Sequence, residues 1–253
     1  MKKQFKFEGK GGELFCLFFV QGLLTCITFG IYAPWAIAKI YAYYADKASL
    51  DGKKFAFTGT GGEMFSLFLV QGLLTVITLG IYGAWAYAKI FAYFASKTTL
   101  DGKAFTFDGT GGEMFSLFLV QGLLTGITFG IYGAWAFAKI RAYFYSKLSY
   151  EGQRFAFDGK GGEIFCLYFV QGLLTVITFG IYYGWAAAKI NNYFASKTSW
   201  GSDRFTMNLE GVEMFILYFV KGGLLTGITF GIYYPWFLAE YYRYIAERTS
   251  VGA

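Results

Sequence analysis

The chain has 253 residues, of which 56% are hydrophobic, 23% aromatic and 15% charged, with a formal net charge of +6 and no histidine. So apolar a composition excludes a disordered chain. The missing histidine removes the commonest general base and metal ligand, and two prolines exclude a proline-rich fibre, which leaves a membrane protein.

Residues 1–12 open with Lys3-Gln4-Phe5-Lys6-Phe7, where Phe5 and Phe7 alternate onto one face of a strand. Gly9-x-Gly11-Gly12-Glu13 matches neither a dinucleotide fingerprint nor a phosphate-binding loop. It reads as a helix start, with Glu13 at the positive end of the helix dipole. From Leu14 to Ala38 there are 25 uncharged residues in a row, enough to cross a bilayer once. Gly30 is a helix-end signal and Pro34 a first-turn residue, however. The stretch therefore divides into two helices, roughly 13–29 and 33–47, joined by a tight turn. Each is about 24 Å long, short of a 30 Å hydrocarbon core. A full crossing of a thinned bilayer and a re-entrant hairpin both fit. Ser49-Leu50-Asp51-Gly52-Lys53-Lys54-Phe55 follows as a β-hairpin, because Asp-Gly favours a type I′ turn.

These phrases return every 50 residues. Gly30-Ile31-Tyr32 with Trp35 recurs at Gly80, Gly130 and Gly180, and last at Gly231-Ile232-Tyr233 with Trp236, after one extra residue near Lys221-Gly222-Gly223. A fixed period of this size marks a tandem array whose units bury their faces against one another. The units are 13–62, 63–112, 113–162, 163–212 and a divergent, terminal 213–253, preceded by the half-hairpin 1–12. The expected fold is an α-helical membrane protein of five tandem helical hairpins, about ten membrane helices, joined by short β-hairpins on one side. The connectors carry the basic residues, among them Lys47, Lys53, Lys97, Lys103, Lys147 and Arg154, whereas the Gly-Ile-Tyr-x-x-Trp turns carry no charge. The positive-inside rule then places connectors and both termini in the cytoplasm.

Phe-x-Phe-x-Gly-x-Gly-Gly-Glu-x-Phe, followed by Leu-Leu-Thr-x-Ile-Thr-x-Gly-Ile-Tyr-x-x-Trp, resembles the YjgN-like family of bacterial inner-membrane proteins. The resemblance implies an inner-membrane location and paired helices. That family's function is undefined, so it implies no activity.

Within the apolar runs, polar residues are functional suspects. Gln21, Gln71, Gln121 and Gln171 recur on the first helix, and Lys39, Lys89, Lys139 and Lys189 on the second. The fifth unit changes both sites together, to Lys221 and Glu240, which suggests that the two positions face one another. Such a row is either a polar pathway favouring anions or structural glue. Trp35 and its equivalents are expected in an interfacial belt. Cys16, Cys26 and Cys166 read as small core residues without metal spacing. No catalytic group, cofactor or nucleic-acid site emerges, and the basic residues suit anionic lipid headgroups.

Phe5 and Phe7 at one end, and Ser250 and Val251 at the other, are halves of one hairpin motif, and unpaired strand edges invite pairing. They can close a pseudo-fivefold ring within one chain or join chains end to end as a homo-oligomer or polymer. The sequence reading favours the second: a self-assembling membrane scaffold that curves its bilayer. The alternative is a channel or transporter for a small anionic solute, formed by the ring.

Overall fold

Each unit folds into a long apolar helix, a tip turn, a second helix and a pair of strands. The computed structural model describes residues 2–252. The first helices are α1 (Gly11–Ile27), α3 (Gly61–Ile77), α5 (Gly111–Ile127), α7 (Gly161–Ile177) and α9 (Gly211–Ile228). The second are α2 (Ala33–Lys47), α4 (Gly83–Lys97), α6 (Gly133–Lys147), α8 (Tyr183–Ser196) and α10 (Tyr234–Glu247). The first helix of the first unit thus begins and ends about two residues before the expected bounds.

The tip turns follow from local hydrogen bonding. Gly30 N–H donates to Thr25 O at 2.8 Å and Phe29 N–H to Cys26 O at 3.1 Å, the bond pair of a Schellman motif. The left-handed residue that this motif requires is Phe29 (φ 50°), with Gly30 (φ 88°) after it. Thr28 Oγ1 donates to Leu24 O and accepts from Tyr32 N–H, which secures the entry to α2. At the other end, Thr60 and Glu63 form a reciprocal capping box, as do Thr110 and Glu113.

The connectors are more than separate hairpins. Strands β1 (Lys3–Phe7), β2 (Ala48–Leu50), β3 (Lys53–Phe57), β4 (Thr98–Leu100), β5 (Lys103–Phe107), β6 (Leu148–Tyr150), β7 (Gln153–Phe157), β8 (Thr198–Trp200), β9 (Asp203–Met207) and β10 (Thr249–Val251) form one closed antiparallel barrel. Asp51 and Gly52 both have positive φ, as a type I′ turn demands. Closure comes from β1 against β10, with Gln4 opposite Ser250 and Lys3 opposite Val251. Both edges of β1 are therefore taken within the chain, by β10 and β2.

The helices close a second ring around the same axis. A second helix packs on the first helix of the following unit, and α10 packs on α1. Each seam joins a glycine to a tryptophan: a Cβ at Gly61 would lie 2.7 Å from Trp35 Cα, and one at Gly111 2.7 Å from Trp85 Cα. Gly11 against Trp236 completes the circle. Trp35, expected in an interfacial belt, is thus a seam residue. Cys16, Cys26 and Cys166 are exposed rather than in the core.

The fold therefore corrects the expectation of about ten membrane helices. Among the described residues, only Gly211–Ile228 is long and apolar enough to cross a membrane. The other first helices have 17 residues and the second helices 14 or 15. At 1.5 Å per residue even 17 residues reach only about 26 Å, short of a hydrocarbon core of roughly 30 Å. The physical reason is the tip turn, which divides the apolar run in two. The second correction is the ten-stranded barrel itself, which replaces isolated surface hairpins.

Candidate functional site: a chamber inside the ring

Inward-facing side chains are set by the strand register. Phe5 stands opposite Leu50, Phe55 opposite Leu100, Phe105 opposite Tyr150, Phe155 opposite Trp200 and Phe205 opposite Val251. The five phenylalanines form a closed circle, with neighbouring ring centroids 6.2–6.5 Å apart. Leu50, Leu100, Tyr150, Trp200 and Val251 are buried against these half-buried rings and fill the barrel. The barrel is a plug.

Against this plug lies a cavity of about 610 Å³, walled by the phenylalanine circle and by residues of α4, α6 and α8 such as Phe91, Phe144 and Phe194. A second cavity of about 600 Å³ shares Phe5, Met207 and Thr249 with it and continues toward Tyr41 and Tyr242. Arg141 and Asn191 are the polar side chains that α6 and α8 bring to the first wall. A chamber of this size, mostly apolar with few polar groups, is the usual form of a small-molecule site.

The sequence-predicted polar row lies elsewhere, between the two helices of each hairpin. Lys39 Nζ donates to the Tyr32 hydroxyl at 3.1 Å, and that hydroxyl donates to Gln21 Oε1 at 3.1 Å. Tyrosine thus bridges glutamine and lysine. Lys89, Lys139 and Lys189 bond Tyr82, Tyr132 and Tyr182 in the same way. Gln71, Gln121 and Gln171 are buried, and their Oε1 atoms have no partner among the described residues. None of these residues belongs to the chamber wall. In the fifth unit Lys221 and Glu240 form an ion pair, beside a separate crevice of about 350 Å³. Phe5 lines the chamber, whereas Phe7 packs against Tyr44 and Tyr242; Ser250 and Val251 take part in the barrel closure.

At the connector end, each hairpin base is clamped by charge. Lys97 Nζ lies 2.7 Å from Glu63, and the Tyr93 hydroxyl donates to the same carboxylate at 3.0 Å. The Lys97 ammonium, helped by the Thr60 backbone N–H, holds Glu63 down at about 2. Lys147 and the Thr110 N–H hold Glu113 at about 2 as well. Burial, with the neighbouring Glu63, pushes Tyr93 up to about 12. None of these groups reaches the chamber wall.

Sequence reasoning missed Arg141, Asn191 and Trp200. The available signal was a break in the repeat: the eleventh residue after each tip glycine reads Tyr41, Phe91, Arg141, Asn191 and Tyr242.

The repeating unit that builds this ring is also a known sequence unit. A model for a bacterial protein of unknown function, DUF898, matches four times in tandem, at residues 2–66, 52–115, 103–165 and 152–216. The chain belongs to the DUF898 family. Over 47 residues it is 49% identical to the inner membrane protein YjgN of Salmonella typhimurium (strain LT2), a match spanning 19% of this chain and 12% of that protein. No solved structure matches the chain. The resemblance to YjgN-like proteins therefore holds at the family level, and DUF898 membership brings no activity with it.

Proposed function

We propose that this DUF898 protein seats in the bacterial inner membrane and that its ring encloses a chamber for a small apolar or amphipathic solute, as a channel or carrier rather than an enzyme. The observation that carries this reading is the closure of five units on themselves around a cavity of about 610 Å³.

Seating in a bilayer is supported by the outside of the ring. Phe29, Leu79, Phe129, Phe179 and Phe230 at the tips are 94–98% exposed, and Val70, Leu73 and Ile77 of α3 are exposed with their counterparts. An apolar surface of that extent needs a cover, and the inner-membrane location of YjgN argues for lipid. The hairpins enter the hydrocarbon tip first, with the basic connectors toward the cytoplasm and its anionic headgroups. Membrane curvature by end-to-end strand pairing has less support, since β1 and β10 occupy each other's edges.

In this reading the barrel plug is a closed gate. Protein reconstituted into liposomes is expected to release an entrapped aromatic amide faster than empty liposomes, and faster still when Trp200→Gly thins the plug. Release equal to that of empty liposomes from both proteins would contradict the proposal.

A further inference from the structure

The chamber wall is mostly apolar, and its polar side chains are Arg141, Asn191, Thr198, Thr249 and the polar ends of Tyr145, Tyr150 and Trp200. Among the described residues, Arg141 is the one charged residue in the wall, which contains no Asp or Glu. Its guanidinium carbon lies 4.6 Å from the ring centroid of Phe194, 5.1 Å from that of Tyr145 and 5.2 Å from that of Phe157. One terminal nitrogen donates to the Tyr145 hydroxyl at 3.0 Å. Nε is buried and has no acceptor among the described residues.

Trp200 repeats the pattern in the same wall, since its Nε1 is also buried without an acceptor. Its equivalents Leu50, Leu100 and Val251 carry no polar side-chain atom, and Tyr150 satisfies its hydroxyl on Leu100 O at 2.7 Å. Two units out of five thus leave a buried N–H without an acceptor, among the described residues, on side chains that line one cavity, and one of them carries a full charge.

Buried donors are ordinarily paired, and the half-buried Arg141 guanidinium has no carboxylate beside it in the wall to balance its charge. The aromatic rings attract the guanidinium through their π faces, but they offer nothing to its N–H edge, the edge that binds carboxylate and phosphate oxygens. An oxyanion supplies both the missing acceptor and the missing charge. The remaining wall, mostly phenylalanine and leucine with Trp200 and Met207, suits a hydrocarbon body.

We propose that Arg141 is the head-group site of the chamber, taking the oxyanion of a single-chain amphiphile whose apolar body lies against the phenylalanine circle. The ligand class is a carboxylate- or phosphate-headed chain, and Trp200 adds a donor to the same chamber. The proposal rests on the chamber reading above, but it concerns binding and not passage.

The test is calorimetric titration of the intact chain in a neutral maltoside detergent with decanoate, decyl phosphate and decanol. Arg141→Phe is the partner variant, because phenylalanine stands at the equivalent Phe91. At least one of the two anions is expected to bind the unaltered protein about tenfold or more tighter than decanol, the advantage of a charge-assisted bond. Arg141→Phe is expected to erase that preference while still binding decanol. The stronger anion tells a carboxylate source from a phosphate one. Equal affinity for anions and alcohol in the unaltered protein would overturn the proposal, as would an anion preference that survives Arg141→Phe. Should that variant fail to fold, the anion-to-alcohol ratio of the unaltered protein decides alone. Binding without liposome release would contradict the passage reading and leave this site intact.

Discussion

Phe29 and its four equivalents hold left-handed backbone conformations, at φ 49–50°, that glycine adopts without penalty. An aromatic or leucine side chain there costs about 1 kcal/mol, and its exposure brings no packing in return. The side chain therefore serves something outside the chain. Phe129→Gly is expected to leave the melting temperature in detergent unchanged or raised, while glycine at all five tips weakens flotation with lipid vesicles. A lower melting temperature for the single variant would show that the tip side chain packs in the fold. Gly111 makes the opposite case, because its missing Cβ is what admits Trp85. Gly111→Ala is expected to destabilise by about 1–3 kcal/mol through overpacking, measured as a lower melting temperature. The clamped carboxylates make stability depend on pH in acid. Glu63 and Glu113 titrate at about 2 in the folded protein against an ordinary 4.5. Below pH 4.5 the unfolded chain binds protons that the folded one refuses, so their stabilisation is complete above that pH and is lost as pH falls toward 2. A melting-temperature profile that steepens in this window, and flattens in Glu63→Gln with Glu113→Gln, is the expected result.

The elements follow the sequence closely where their determinants are local. Helix ends and hairpin turns were legible because Gly-Ile-Tyr, Gly-x-Gly-Gly-Glu and Asp-Gly act within a few residues, whereas the Thr60–Glu63 and Thr110–Glu113 capping boxes were not read from the sequence. The extra residue near Lys221-Gly222-Gly223 was legible as well, but its consequence was not. It is absorbed as a π-helical stretch, Ile216–Leu225, inside α9. Thr226 Oγ1 accordingly reaches back five residues to Lys221 O, where Thr25 reaches back four to Gln21 O. Lys221 sits on this stretch and pairs with Glu240 of α10, both side chains being about one-third exposed (31% and 34%). A double-mutant cycle on the two is expected to give a coupling of about 0.5–1 kcal/mol. Additive effects would mean that the pair contributes nothing. The polar row showed the limits of spacing: Gln21 and Lys39 share a depth, yet Tyr32 stands between them, and a one-dimensional pattern does not reveal a bridge.

The whole molecule depends on closure, which is the least local property it has. The sequence holds two half-hairpins, and a ring and an open array use the same strands with the same pairing chemistry. What separates them is whether five units turn through a full circle, an angle set by seams such as Gly61 on Trp35 and accumulated over the chain. For the same reason the barrel and the chamber were not legible. Phe5, Phe55, Phe105, Phe155 and Phe205 are 50 residues apart, and only a closed ring brings their centroids within 6.2–6.5 Å of one another. Arg141 reads as one odd residue in a repeat until that ring gives it a cavity to line. Closure is tested most directly by a cross-link across the final seam. With Cys16, Cys26 and Cys166 changed to serine, cysteines at Gln4 and Ser250, which face each other between β1 and β10, lie within reach of a disulfide. Oxidised protein in lipid is expected to run as a cross-linked monomer on a non-reducing gel at every protein concentration. A ladder of covalent dimers and higher multimers in place of that monomer would contradict the closed ring.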